Sequence, residues 1–457
     1  MPQIAPQIFK AYDIRGIVGK TLTTDAALLI GRAIGSEAMA RGQARLVLGR
    51  DGRHASPSLA EAVLAGLQAS GVAVIDLGVV PTPLVWFAAH HLETLSGVMI
   101  TGSHNPPEYN GVKIMLAGET LAGDAIQALR ARIEAGDFAT GEGSYSQYDI
   151  REDYLHRISS DLQLQRRVSV VVDAGNGAGG SIAPVLYRRL GCRVRELFCE
   201  LDGDFPNHHP DPARPENLAD LAHALAVTDA ELGLAFDGDA DRLGVVTKDG
   251  TIIYPDRLLM AFAADALSRQ PGGRVVYDVK SSRLVAPWVK QHKGRAVMAR
   301  TGHSYMKAKM KESGALVGGE LSGHLFFAER WYGFDDGIYA GARLLEILSQ
   351  VDDPSALLNA LPQGQSTPEI QIPMAEGAAH ALIDKLKASA RFPDAEVITL
   401  DGLRVEYEDG FGLLRASNTT PVLVLRFEGD DSKALKRIQA TFRKLLHKEL
   451  GTTELPF

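Results

Sequence analysis

Leu232-Gly-Leu-Ala-Phe236 runs straight into Asp237-Gly-Asp-Ala-Asp-Arg242, and this junction decides the fold. The first five residues form an apolar run of strand length, and the next six form a polar, glycine-bearing loop. An open α/β sheet binds its ligands on loops of this kind, at the carboxyl ends of its strands. Upstream, Val168–Asp173 and Cys192–Leu197 read as further strands, separated by helical patterns at about Ser181–Leu190 and Asn217–Val227.

The same alternation occurs before and after this block. Arg45–Gly49, Val72–Asp76 and Gly97–Thr101 read as strands with helices Ser58–Ser70 and Pro83–His90 between them, and the last strand opens into Thr101-Gly-Ser-His-Asn-Pro106. Arg274–Asp278, Ala296–Ala299 and Ala315–Val317 alternate with helices Ser282–His292 and Ser304–Ser313, then open into Gly318-Gly-Glu-Leu-Ser-Gly-His324. The chain thus carries a diverged repeat of one α/β unit. Gly141–Tyr148 and Gln363–Pro368 have linker composition, and Asp249-Gly250 fits a hairpin turn. Beyond the second linker, helix His380–Ala388, several consecutive strands between Val397 and Phe427, and helix Ser432–Leu450 indicate a small α+β domain.

Composition narrows the function. The chain has 457 residues, 45% apolar and 23% charged, enough for about three or four cores. A net charge of -8 argues against a general nucleic-acid surface and leaves room for a local cationic pocket. No stretch has the length of a membrane span, Met1–Lys10 lacks a signal-peptide core, and Cys192 and Cys199 are too few for a disulfide framework. A cytoplasmic protein with a small-molecule partner is expected.

Four loops carry chemistry. In the first, Ser103 stands beside Gly102, His104, Asn105 and Pro106, so it is either a hydroxyl held to carry a covalent group or part of an ordinary turn. Asp237, Asp239 and Asp241, spaced by two in an extended loop, would turn three carboxylates to one side. That set is either a solvated acidic turn or a site for a hard cation, Mg²⁺ before Ca²⁺, because Arg242 and Lys248 stand where an EF-hand needs glycine and glutamate. Glu320, Ser322 and His324 could bind sugar hydroxyls, or leave a histidine at the surface. Arg415-Ala-Ser-Asn-Thr-Thr-Pro421 offers donors without a carboxylate, which suits a phosphate dianion or a polar loop.

Together with Ala11-Tyr-Asp-Ile-Arg-Gly16, these motifs resemble, in order and over essentially the whole chain, the α-D-phosphohexomutase family, most closely its bacterial phosphomannomutase/phosphoglucomutase branch. The resemblance implies four domains around a central cleft, the first three of similar α/β topology with mixed sheets and the fourth a smaller α+β domain. Residues 1–148 would carry the phosphoserine, 149–250 the metal, 251–364 the sugar site and 365–457 the phosphate clamp. It implies reversible phosphoryl transfer between the 1- and 6-positions of glucose or mannose phosphates, through a phosphoserine enzyme and a 1,6-bisphosphosugar. Glucose 1,6-bisphosphate would be activator and intermediate.

By the same resemblance, Ser103 carries the phosphate and joins Asp237, Asp239 and Asp241 around Mg²⁺, while His104, Lys113, Arg242 and His324 stand near the transferring group. Lys113 or His324 could serve as the base. Glu320 and Ser322 would meet sugar hydroxyls, Arg415, Ser417, Asn418 and Thr419 would clamp the other phosphate, and Tyr12, Arg15, Lys280 and His303 (in Thr301-Gly-His-Ser304) would line the cleft. Leu321 departs from the methionine of many branch members and from the glutamine usual in phosphoglucosamine mutases. Its apolar side chain weakens an amino-sugar preference without excluding it. A phosphoserine-dependent sugar phosphatase is a further alternative, and an idle sugar-phosphate sensor a third. No nucleic acid or membrane partner is expected, and the chain should act as a monomer.

Overall fold

The computed structural model describes residues 4–418, 420–451 and 454–457. In its first sheet Arg45–Arg50 lies between Ala73–Val79 and Gly97–Ile100, all parallel, and Tyr109–Leu116 returns antiparallel beside Gly97–Ile100. The second sheet repeats this with Ser169–Asp173 between Arg193–Leu197 and Leu232–Phe236, and Leu243–Thr247 returning. The third has Arg274–Asp278 between Arg295–Ala299 and Val317–Gly319, with Leu325–Phe327 returning. The antiparallel return strands make the sheets mixed, and each polar loop is the turn that joins the last parallel strand to its return.

Several boundaries move. The strand expected at Ala315–Val317 lies at Val317–Gly319, whose glycines are closely packed: a Cβ on Gly318 would lie 2.8 Å from Met310 Sδ of one helix, and one on Gly319 3.2 Å from Leu259 of a second. That helix, Pro255–Arg269, is missing from the sequence-based expectation. It is buried without a break from Pro255 to Ala263, with Asp256 and Arg257 included, so burial does not follow an apolar stripe. Both expected linkers are partly strand: Tyr145–Gln147 pairs with Ala73–Val79, and Gln365–Ser366 with Val422–Gly429. At Asp249-Gly250 the chain does turn back, pairing Ile252–Ile253 with Leu243–Thr247.

Packing divides the chain unequally. One continuous apolar core takes in Trp86, Phe87, Tyr154, Phe236, Phe262 and Trp331, and so joins the first three units. The last unit has its own core, around Leu386, Val405, Phe427, Ile438, Phe442 and Leu446. Its long helix Ser432–Leu450 buries Ala434, Ile438, Phe442 and Leu446, one residue per turn, against the sheet. Asp431 starts that helix by accepting from the Ala434 amide at 2.8 Å, a cap worth about 1 kcal/mol.

The joint between this unit and the third adds polar contacts to a small apolar cluster of Val279, Phe411 and Leu413. Arg404 is fully buried and donates to the carbonyls of Val279 (2.5 Å) and Ser281 (2.7 Å), and Arg426 donates to the carbonyl of Lys280. Both cysteines are free, and burial pushes each thiol up to about 12, as expected of packing residues. Among the described residues no helix is long and apolar enough to cross a membrane.

Candidate active site

The acidic loop is tied through its backbone to a helix start of the first unit and to the third unit. The Thr82 amide donates to the carbonyl of Asp239 (3.0 Å), the Leu243 amide to Gly323 (3.1 Å) and the Gly337 amide to Ala240 (3.2 Å). Ser103, Asp237 and His324 therefore sit on one rigid frame.

Ser103 is buried, with a left-handed backbone at φ 49°. Its hydroxyl donates to Asp237 Oδ2 at 3.0 Å and lies 3.2 Å from His104 Nδ1. The metal loop must pass close to it, since a Cβ on Gly238 would lie 2.5 Å from the Ser103 carbonyl oxygen.

Asp237, Asp239 and Asp241 are fully buried and bring carboxylate oxygens within 4.8 Å of one another. They converge for a reason other than an extended loop. The segment is a tight turn, closed by the Ala240 amide on the Asp237 carbonyl (3.0 Å) with Ala240 at φ 58°. Lys113 donates to Asp239 Oδ2 (2.7 Å) and Asp241 Oδ2 (2.5 Å), whereas Asp239 Oδ1 and Asp241 Oδ1 have no hydrogen-bond partner. An orphaned Asp239 Oδ1, beside an Asp241 Oδ1 that faces His324 Nε2 at 3.4 Å, fits a hard divalent cation in an all-oxygen set.

The electrostatics change the roles open to the expected bases. Burial opposes the charge on Lys113, but Asp239, Asp241 and Asp237 outweigh it and hold the ammonium above its usual range. His324 is likewise buried, yet Asp241, 3.4 Å away, and Glu320 bring it up to about 9. As they stand, both groups carry a proton at neutral pH and are acids. His104 and His303 are instead held neutral, foremost by burial and then by nearby cations.

The other expected residues extend this cluster. Arg242 sits 3.9 Å from Asp237 and 3.3 Å from His324 Nε2. Glu320 Oε2 and Ser322 Oγ both contact His324 Nδ1, at 2.9 and 3.0 Å, so the sugar-loop residues orient that imidazole. His303 packs between His324 and Tyr12, with ring centroids at 5.6 and 5.8 Å. Arg15 donates to Asn105 Oδ1 at 2.5 Å, which joins it to the serine loop.

At the far end, Tyr12 lies against Asn418 and near Arg415. Arg415 donates to Asp401 at 3.2 Å and keeps one terminal nitrogen, Nη2, without a partner among the described residues. Ser417 Oγ lies 3.0 Å from Thr420 Oγ1, and Lys280 donates to Glu369 at 2.8 Å. Thr419 lies outside the described residues.

Three polar side chains here have no place in the sequence-based expectation: Asp51, Arg53 and Asp335. Asp51 and Arg53 lie in Gly49-Arg-Asp-Gly-Arg53, another polar loop after a strand, which is the signal that could have flagged them. Asp335 is fully buried 3.5 Å from His303 Nδ1, in a segment with no motif of its own.

A buried serine hydroxyl on an acidic metal-type cluster, with fixed cations at Lys113 and Arg242, has the groups that phosphoryl transfer needs. The chain matches four family descriptions in succession: Phosphoglucomutase/phosphomannomutase, alpha/beta/alpha domain I over residues 6–140, domain II over 152–250, domain III over 254–364, and the C-terminal domain over 369–445. A phosphoglucomutase of Neisseria meningitidis is 59% identical over 98% of each chain. A phosphomannomutase/phosphoglucomutase of Pseudomonas aeruginosa is 54% identical over 100% of this chain and 99% of its own. The crystal structure of a phosphoglucomutase/phosphomannomutase family protein from Burkholderia thailandensis superposes with a TM-score of 0.95 at 55% identity, covering 100% of both chains. The chain belongs to the phosphoglucomutase/phosphomannomutase family, the bacterial branch of the α-D-phosphohexomutases. It is an enzyme, a hexose phosphate mutase.

Proposed function

We propose that Ser103 is the phosphate carrier of a reversible transfer between the 1- and 6-positions of glucose and mannose phosphates. The observation behind this is the Ser103 hydroxyl itself, buried 3.0 Å from Asp237 beside the other carboxylates, of which Asp239 keeps an unmet oxygen. A divalent cation on Asp237, Asp239 and Asp241, taken as Mg²⁺, would neutralise charge on the transferring phosphoryl group. Lys113 and Arg242 add fixed cations in the same place.

In the first half-reaction the free sugar hydroxyl attacks phosphorus on phospho-Ser103. A new O–P bond forms as the Oγ–P bond breaks, and the hydroxyl gives up its proton. His303, held neutral, is suited to accept that proton, and His324, protonated through about pH 9, to supply one. Glu320 and Ser322 orient His324 and offer oxygens to sugar hydroxyls. Arg415, Ser417, Asn418 and Thr419 hold the phosphate that is not transferred, with Tyr12, Arg15 and Lys280 along the cleft.

The product, a 1,6-bisphosphosugar, must turn end for end before it returns a phosphate to Ser103. A last domain with its own main core and a joint of polar contacts around a small apolar cluster suits a clamp that grips and loosens. Glucose 1,6-bisphosphate is accordingly taken as activator, the units as residues 1–148, 149–250, 251–364 and 365–457, and the working form as a cytoplasmic monomer.

The test compares kcat/KM for glucose, mannose and glucosamine 1-phosphates, with a trace of glucose 1,6-bisphosphate, in the native enzyme and Ser103→Ala. Turnover of the first two sugars that vanishes in the variant is expected. Activity on glucosamine 1-phosphate alone, or inorganic phosphate released as fast as isomer forms, would replace this assignment. A relative from Thermococcus gammatolerans, 32% identical, is described as a probable phosphoglucosamine mutase, so the third substrate is a real competitor.

A further inference from the structure

Among the described residues Arg53 is one of the most deeply buried large side chains, and its charge is felt by Asp239 of the carboxylate cluster. A guanidinium has five N–H donors in a fixed planar fork. All five are used here. Nη2 donates to the carbonyls of Ser103 (2.7 Å) and Asn105 (2.7 Å), Nη1 to those of Pro106 (2.6 Å) and Tyr109 (3.1 Å), and Nε to Asp51 Oδ2 (3.2 Å). Four donors thus end on the backbone of one loop, the loop that bears Ser103.

Two features show how closely the fork and the loop are matched. A Cβ on Gly102 would lie 2.4 Å from Arg53 Cζ, so only glycine lets the chain settle onto the guanidinium. Asp51 closes the arrangement from the other side, accepting from the Thr101 hydroxyl (2.7 Å) and the Gly102 amide (3.1 Å) while it pairs with Arg53. The ring of Phe205, from the second unit, covers the guanidinium with its centroid 5.0 Å from Cζ.

The loop needs such support. Ser103 has a left-handed backbone, which costs a side-chain-bearing residue about 1 kcal/mol or more unless its surroundings fix it. The inward carbonyls of Ser103 and Asn105 would also lose their donor without Arg53, whereas that of Pro106 accepts from the Tyr109 amide as well, at 3.0 Å.

We propose that Arg53 is a positioning residue for phosphoryl transfer: its fork fixes the carbonyls of the serine loop and so holds Ser103 Oγ in line with the carboxylate cluster. The proposal rests on Ser103 being the phosphate carrier. The hydrogen bonds of Arg53 hold the serine loop, while the sugar and clamp loops lie on other units. Its signature is therefore a loss in kcat with KM little changed.

Arg53→Lys keeps the charge and has three donors on a single nitrogen, which cannot span four carbonyls. Its kcat should fall about 10–100-fold with KM within about threefold, and amide exchange across residues 101–109 should rise. Arg53→Ala leaves a guanidinium-shaped space lined by carbonyls and Asp51, so millimolar guanidinium chloride should restore part of its turnover where potassium chloride does not. Native kcat and unchanged loop exchange in Arg53→Lys would overturn the proposal. So would a folded Arg53→Ala that guanidinium fails to rescue. If Arg53→Ala does not fold, Arg53→Lys decides alone. Phosphate occupancy of Ser103 in the native enzyme, read by intact mass after incubation with glucose 1,6-bisphosphate, separates the two ideas. A native enzyme that turns over without phosphate on Ser103 would overturn the carrier assignment, and loop exchange would still judge the grip of Arg53.

Discussion

Lys113 and Asp239 form a buried ion pair at 2.7 Å that bridges the return strand of the first unit to the acidic loop of the second. The same ammonium reaches Asp241 at 2.5 Å. One protein cation therefore sits among three carboxylates whose remaining oxygens suit a divalent ion, and the two cations compete for the same charge.

Replacing Lys113 should separate its two effects. Lys113→Met is expected to lower kcat about 100-fold or more, through loss of a fixed cation at the transferring group. It should also raise Mg²⁺ affinity at least about tenfold, since unit charges near contact distance interact by about 4 kcal/mol at an intermediate dielectric. Titration calorimetry reads the second effect directly. Unchanged affinity would mean that the ion and the ammonium do not share Asp239 and Asp241.

His324 provides a titration test. In metal-free protein its imidazole should titrate near the value of about 9 that Asp241 and Glu320 impose against burial. Its folded pKa is raised, so the stability it contributes is fully present below about pH 6.5 and is lost as pH rises through about 9. Adding Mg²⁺ should move the pKa down, because the ion draws on the Asp241 charge that favours the imidazolium. Imidazole resonances followed by NMR against pH check both statements, and a metal-free value at or below 6.5 would reject the ion-pair geometry.

These residues also show what could be read from sequence. The strand Arg274–Asp278 and the helix Ser432–Leu450 are legible to the residue, because a β-branched run bounded by turns and an amphipathic stripe are local patterns. Ser103, the aspartates and the Arg415 loop are legible because strand-end loops concentrate glycine and polar groups. The helix Pro255–Arg269 is not, since its burial takes in Asp256 and Arg257 along with the apolar run that follows them. Nor is the charged state of Lys113, where burial alone points down and three carboxylates from another unit reverse the sign. Arg53 was hidden for a similar reason. Its partners are four main-chain oxygens about fifty residues away, and main-chain contacts leave no mark on side-chain pattern.

Asp336 gives a pH effect away from the chemistry. It caps the helix Gly337–Leu348 through the Tyr339 amide (2.8 Å) and accepts from the Tyr154 hydroxyl (2.9 Å), while burial pushes its carboxyl up to about 7. Because the folded pKa is raised, stability is fully present below the ordinary value of 3.8 and is lost as pH rises through about 7. Asp336→Asn keeps an oxygen for both donors and cannot ionise. The variant should therefore gain in Tm over the native protein as pH is raised from 5 to 8, about the range in which the carboxyl loses its proton. A Tm difference that stays constant over this range would show that Asp336 does not take up a proton on folding.

The last domain should unfold on its own. Its main core is separate from the continuous core of the first three units, and the joint combines donors such as Arg404 with only a small apolar cluster of Val279, Phe411 and Leu413. Scanning calorimetry is expected to resolve two transitions, the smaller belonging to residues 365–457. Arg404→Ala leaves the carbonyls of Val279 and Ser281 unpaired at about 1–3 kcal/mol each, and removes a guanidinium stacked 3.7 Å over the Phe411 ring. That loss should lower the smaller transition by several degrees and leave the larger nearly fixed. In the enzyme assay the same variant should raise KM more than it lowers kcat, because the clamp closes less often while the serine loop and the acidic cluster remain in place. A single cooperative transition in native protein and variant alike would mean that the four units melt as one, and the joint would then have to be stronger than its hydrogen bonds and small apolar cluster indicate.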